Sequence, residues 1–282
     1  MPRASDLLKG LGSLSSLPGV YLKLNEVVSD PRSSSADVGH VIAEDPGLTA
    51  RLLKLVNSAM YNFPSRIETV SHAISIVGTA QLQDLALATS VIRLFASMPE
   101  GLVTMESFWR HSVACGVTAR AIAARRRESN VERYFVAGLL HDIGRPVMFT
   151  QAPEPSRTAV TRSREEKVPL VALEQQIFGF DHTHVGQALL DQWKLPPALR
   201  EAVAQHHHPE RAQRFPAEAA TVHVADILAN AMALGSSGET GIPPFVPAAW
   251  QAIGLAPGSL GDLMEECERH YEAAVQVIAV DR

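Results

Sequence analysis

A histidine followed directly by an aspartate, His141-Asp142, sits behind an apolar run and ahead of Gly144 in the stretch GLLHDIGRPV (138–147). Such a pair can be half of a divalent-metal site that hydrolyses phosphate esters, or the remnant of one inside a protein that only binds partners. Other ligands can join it only if their helices turn them inward, and residues three, four, seven and eight apart share one helix face. His111 shares its face with Phe108, Ala114, Cys115, Thr118 and Ile122. His182 follows Asp181, a suitable helix cap, and lines up with Gly186, Leu189 and Trp193; Asp226 lines up with Val222, Ala229 and Ala233. Three ionisable groups on three helices therefore point toward apolar surroundings. Burying any of them without a partner costs several kcal/mol. They are satisfied together if they meet, as a hydrogen-bonded cluster or around a divalent cation, with His141, Asp142, His206 and His207 joining from helix ends. Imidazole and carboxylate without thiolate suit iron, manganese, nickel, zinc or cobalt better than calcium. Residue types alone do not choose between cluster and ion, and any single histidine of the set is more often a satisfied structural residue.

The elements that must position these groups are helical; alternating strand-like runs are hard to find. In EDPGLTARLLKLVNSAMYN, Asp45 can cap, Pro46 suits the first helical position, and Leu48, Leu52, Leu55 and Ala59 recur at the helix period. Gly78 is expected to close one helix and Thr79 to cap the next, whose stripe is Leu82, Leu85, Ala86, Thr89 and Ile92. SMPEGLVTM (97–105) breaks the pattern and is the best boundary. Residues 1–100 are thus predicted as an N-terminal helical subdomain and 101–282 as a second one containing the candidate ligands. Residues 150–168 read as a polar stretch, and GSSGETGIPP from Gly235 as an exposed loop. Arg125-Arg126-Arg127 reads as a solvated helix end, Trp109 and Trp193 as core, and Asn57-Ser58 as a cap or a contact to another chain.

Composition narrows the partners. The chain has 282 residues, 46% hydrophobic and 20% charged, in keeping with a folded protein. A net charge of −5 gives no footprint for a nucleic-acid backbone. Two cysteines, Cys115 and Cys267, are too few for a disulfide framework or a cysteine zinc cluster, which suits a reducing, cytoplasmic setting. No signal-peptide pattern or membrane-length apolar run is visible, so no membrane partner is expected.

Several longer stretches resemble the HDOD family, an output-module branch of the HD-domain metal phosphohydrolases. In the first half these are LPGVYLKLNEVVSD, EDPGLTARLLKLVNSAMY and ISIVGTAQLQDLALATSV; in the second, FWRHS, AGLLHDIGR, FGFDHTHVGQALLDQWKLP and AVAQHHHP. The likeness runs from about Leu17 to Ala233. It implies an all-α, two-lobed protein, with an N-terminal helical bundle packed on an HD-like helical core. It also implies a role in bacterial signal transduction, by binding protein partners in trans or a ligand such as a nucleotide rather than by catalysis. Family members often lose part of the HD ligand set, but here the HD pattern matches His111, His141, Asp142 and Asp226. Two-metal relatives of HD-GYP type add a histidine four before a glycine, matched by His182 and Gly186, and a histidine pair, matched by His206 and His207. Those relatives carry a lysine where this chain has Arg145, and a DGxGYP loop where it has HPERAQRFP. The alternative implied function is a metal-dependent phosphohydrolase acting on a nucleotide or cyclic dinucleotide, with Asp142 and Arg145 as its catalytic residues.

Overall fold

Side-chain caps set many of the helix starts. The computed structural model of the protein describes residues 3–12, 16–95, 98–99 and 101–278. After a 3-10 turn at Ala4–Gly10, the first half carries α1 (Gly19–Ser29), α2 (Ser35–Ala43), α3 (Pro46–Val56), α4 (Val70–Val77) and α5 (Thr79–Leu94). Ser34 and Asp37 form a capping box at α2, and Asp45 accepts from the Leu48 amide ahead of Pro46, as its spacing predicts. At the α4–α5 junction Gly78, at φ 100°, flanks both helices, so the glycine takes the place expected for Thr79.

The second half carries α6 (Met105–Arg125), α7 (Val131–Leu140), α8 (Gly144–Gln151), α9 (Pro153–Glu166), α10 (Leu170–Phe178), α11 (His182–Gln192), α12 (Pro197–Gln205), α13 (Pro216–Ala231), α14 (Pro247–Ile253) and α15 (Leu260–Ile278). No strand occurs among the described residues. The polar stretch 150–168 is mostly helix α9, which turns Ser156, Ala159, Val160 and Ser163 inward at helical spacing. Charge along a sequence therefore concealed a narrow buried stripe.

Helix α6 is the axis of the second half, packed against α7, α13 and α15. A Cβ on Gly138 would lie 2.7 Å from the Cys115 carbonyl oxygen, so the α6–α7 approach requires that glycine. Gly144 is equally constrained, because a Cβ there would collide with the His182 carbonyl; α8 and α11 cross backbone to backbone. The N-terminal 3-10 turn packs on α11 and α8, and α15 reaches α3. The buried apolar residues from Leu8 to Ile278 form one continuous cluster, with a smaller one under α8 to α10. The junction expected at residue 100 lies outside the described residues. Trp109 and Trp193 are buried, as expected. Arg125 pairs with Glu266 at 2.6 Å and Arg126 donates to the Ala252 carbonyl, so this basic end of α6 ties down the C-terminal helices. Asn57 bridges within its own chain, accepting from the Ile67 amide at 2.8 Å and donating to the Ile67 carbonyl. No helix among the described residues is long and apolar enough to cross a membrane.

Candidate metal centre

Five segments of the second half deliver the candidate ligands to one place. Helix α6 brings His111 from its second turn; the α7–α8 corner brings His141 and Asp142; the first residue of α11 is His182; the end of α12 brings His206 and His207; α13 brings Asp226. The Asp181 cap, which accepts from the Thr183 amide at 2.9 Å, fixes the start of α11 and hence the aim of His182. His111, His141, His182 and His206 are fully buried, Asp142 and Asp226 nearly so, and only His207 is half-buried.

The seven side chains fall into two groups, each with donor atoms within 4.8 Å of one another. In the first, Asp226 Oδ1 lies 3.2 Å from His111 Nε2 and 3.5 Å from His141 Nε2. In the second, His182 Nε2 lies 2.9 Å from Asp142 Oδ1, 3.4 Å from His206 Nε2 and 3.2 Å from His207 Nε2. Asp142 joins the two. Its Oδ2 is 3.3 Å from His141 Nε2 in the first group, while its Oδ1 belongs to the second.

A surrounding layer of hydrogen bonds fixes the rings. His141 Nδ1 faces the Gly138 carbonyl at 2.7 Å and His206 Nδ1 the Val203 carbonyl at 2.9 Å. His182 Nδ1 faces Glu174 Oε2, which also accepts the His182 amide. With Nδ1 the donor in each case, Nε2 presents a lone pair inward, the form in which imidazole binds metal. The lone pair of His182 then faces those of Asp142 and His206 at hydrogen-bond distance, which is favourable only with a proton or a cation between them. The donor set fits a divalent ion of the borderline class in each group, and two such ions would share the Asp142 carboxylate.

The charges of the protein alone show the same conflict. Burial opposes ionisation of Asp142, but Arg145 and the imidazoles His141 and His182 outweigh it and hold its pKa well below the usual range. Burial likewise disfavours charged His182, yet Glu174 and Asp142 push it up to about 9. Burial lowers His206 to about 3, with His141 and His182 adding to the depression. Adjacent imidazoles are thus driven in opposite directions, one by its carboxylate neighbours and the other by burial and the imidazoles beside it.

Arg145 is buried over this centre, and protein groups surround its guanidinium. It donates to Asp142 Oδ2 at 2.9 Å, to Glu174 Oε1 at 3.3 Å, to Ser237 Oγ and to Glu239 Oε2 at 3.4 Å. The loop after α13, expected to be exposed, is therefore buried at Ser237 and Gly238 and reaches solvent from residue 240 to 242. Glu174, Ser237 and Glu239 carry no sequence pattern that marks them. His223 did leave a trace: it stands three residues before Asp226 on the same face of α13, and its Nδ1 faces the His206 carbonyl at 2.7 Å.

Residues 14–209, more than half of the chain, match the HDOD domain. The chain belongs to the HDOD family. Among similar solved structures, an HDOD domain protein of unknown function from Geobacter sulfurreducens is 24% identical, with a TM-score of 0.79 and 97% of each chain covered. A protein from Shewanella amazonensis SB2B, described as a candidate phosphohydrolase, is 24% identical, with a TM-score of 0.72, covering 96% of this chain and 97% of its own. These likenesses establish the HDOD fold. An uncharacterized protein of Treponema pallidum (strain Nichols) is 25% identical over 206 residues, 73% of this chain. The HDOD chain spans 40% of that relative's length.

Proposed function

We propose that this HDOD module acts by binding, with up to two divalent ions held at its HD-like centre by His111, His141, Asp142, His182, His206, His207 and Asp226. Its output is then the recognition of signalling proteins in trans or of a nucleotide ligand. The observation that carries this reading is Arg145. The positive charge best placed to receive a substrate phosphate is buried and engaged by Asp142, Glu174, Ser237 and Glu239. A phosphate would have to displace its own protein's acids to reach it.

The second reading, a metal-dependent phosphohydrolase, is favoured by the complete ligand set and by His207, whose half-buried ring gives the centre one partly open side. A bound ion would there lower the pKa of a water and polarise a phosphoryl oxygen. In that case Asp142 would position the centre, and Arg145 would have to be released toward substrate.

Elemental analysis of protein purified without chelator, followed by hydrolysis assays with nucleoside phosphates and cyclic dinucleotides, tests both. Stoichiometric metal with no turnover is the expected result. Metal-dependent hydrolysis at ordinary enzyme rates would replace the binding reading with the enzymatic one, and metal-free protein would remove the ions from both.

A further inference from the structure

The loop between α13 and α14 is attached to the centre at both ends. At its start, the Ser236 amide donates to the Ser107 carbonyl of α6 at 3.1 Å, and Ser237 and Glu239 accept from Arg145, which in turn holds Asp142. Glu239 also accepts the Leu170 amide at the start of α10 at 3.0 Å. At its far end, the Val246 amide donates to His223 Nε2 at 3.0 Å, and His223 Nδ1 faces the His206 carbonyl. The Phe245 ring stacks over His223, with centroids 6.2 Å apart. Between these anchors the chain is exposed except at Pro243, and Ile242 and Phe245 are 61% and 48% accessible, among the most exposed large apolar side chains described.

Both anchors rest on groups that the centre itself must hold. The inward atoms of Asp142 and His206 face other lone pairs of the centre, Asp142 Oδ1 and His206 Nε2 lying 2.9 Å and 3.4 Å from His182 Nε2. An ion that takes the Asp142 carboxylate and the His206 ring as ligands would restrain the two residues on which the anchors rest, Asp142 through its carboxylate and His206 through its backbone carbonyl. From these juxtapositions we propose that residues 235–246 form a strap ordered by metal at the HD-like centre, so that filling the centre sets the presentation of Ile242 and Phe245. This rests on the metal reading given above and adds to it the ordering of a loop tethered to the centre. The coupling is one of local order: an ion that binds the ordered state in preference stabilises every segment whose contacts depend on it.

The test is hydrogen exchange on the full chain, stripped by chelator and then reloaded with Mn²⁺ or Zn²⁺ alone. Loading is expected to slow exchange at least tenfold at the Val246 and Leu170 amides and across 235–246, while α2, remote from the centre, is unchanged. Two variants cut the strap's anchors without removing a ligand: His223→Phe keeps a ring under Phe245 but loses both hydrogen bonds, and Glu239→Gln weakens the hold on Arg145. Each is expected to bind the ion and to lose the protection at its own end of the loop. Ion binding without any change at 235–246, or equal protection in both variants, overturns the strap and leaves the metal centre standing. Failure of either ion to bind overturns both.

Discussion

Replacing Asp142 by asparagine removes the carboxylate shared by the two ligand groups while leaving the shape of the side chain. In metal-free protein the variant also takes an anionic partner from buried Arg145, whose Nη1 lies 2.9 Å away. Breaking such a buried pair costs about 3–5 kcal/mol, and because Glu174 and Glu239 still flank the guanidinium, the lower figure applies. At about 2 °C per kcal/mol for a chain of this size, the melting temperature of the chelated variant should fall by about 6 °C. The larger effect lies in the response to metal. At free ion about a hundredfold above Kd, each filled site adds about 2.7 kcal/mol, so two sites should raise the wild-type melting temperature by about 10 °C. The introduced amide offers a neutral oxygen in place of the anionic ligand on which both groups draw, and that rise should collapse toward zero. The assay is thermal denaturation with and without Mn²⁺, paired with metal content by elemental analysis. An Asp142→Asn variant that carries as much metal as wild type and melts with the same metal-induced rise would refute the shared-carboxylate centre.

Glu174→Gln takes away the carboxylate that orients His182 through Nδ1; metal affinity in the group containing His182 should fall by about 10–100-fold with the fold intact, as read by competitive metal titration. Gly144→Ala sets a methyl group against the His182 carbonyl at the α8–α11 crossing, and should destabilise the protein by about 3 kcal/mol in urea unfolding; unchanged stability would contradict that close approach. Away from the centre, burial pushes the Asp84 carboxyl up to about 6, against the hydrogen bond from Asn130. An acid whose folded pKa is raised binds its proton more tightly when folded, so stability is lost as pH rises from about 4 to about 6 and the penalty persists above. Asp84→Asn should therefore stabilise the protein by about 1–2 kcal/mol at pH 7 and by little at pH 4, and a gain that does not depend on pH would refute this cause.

Helix periodicity made His111, His182 and Asp226 legible because each has apolar neighbours at the spacings of a buried face, and a buried ionisable group demands a partner. His206 and His207 were legible only as helix-end residues that could join. Their inclusion depended on the turn after α12, whose direction no local pattern states. The loop at Gly235 was misread for a related reason. Gly, Ser, Glu and Pro in succession describe an exposed loop by composition, but Ser237 and Glu239 are drawn inward by a guanidinium some ninety residues earlier. Glu174 was illegible in the same way, since one acid in an amphipathic helix has no partner along its own segment.

What the sequence could not convey was which of the two roles the chain gives Arg145, a residue that would suit phosphate and also suits three carboxylates. The structure surrounds it with Asp142, Glu174 and Glu239, and a cation so enclosed stabilises buried acids before it can attract a ligand. On the binding reading proposed above, the centre keeps the side chains that could hold metal while its arginine is taken up by the protein's own acids. On that reading, the difference between a hydrolase and a binding module lies in the loop that meets the arginine, through Ser237 and Glu239, more than in the histidines and aspartates themselves.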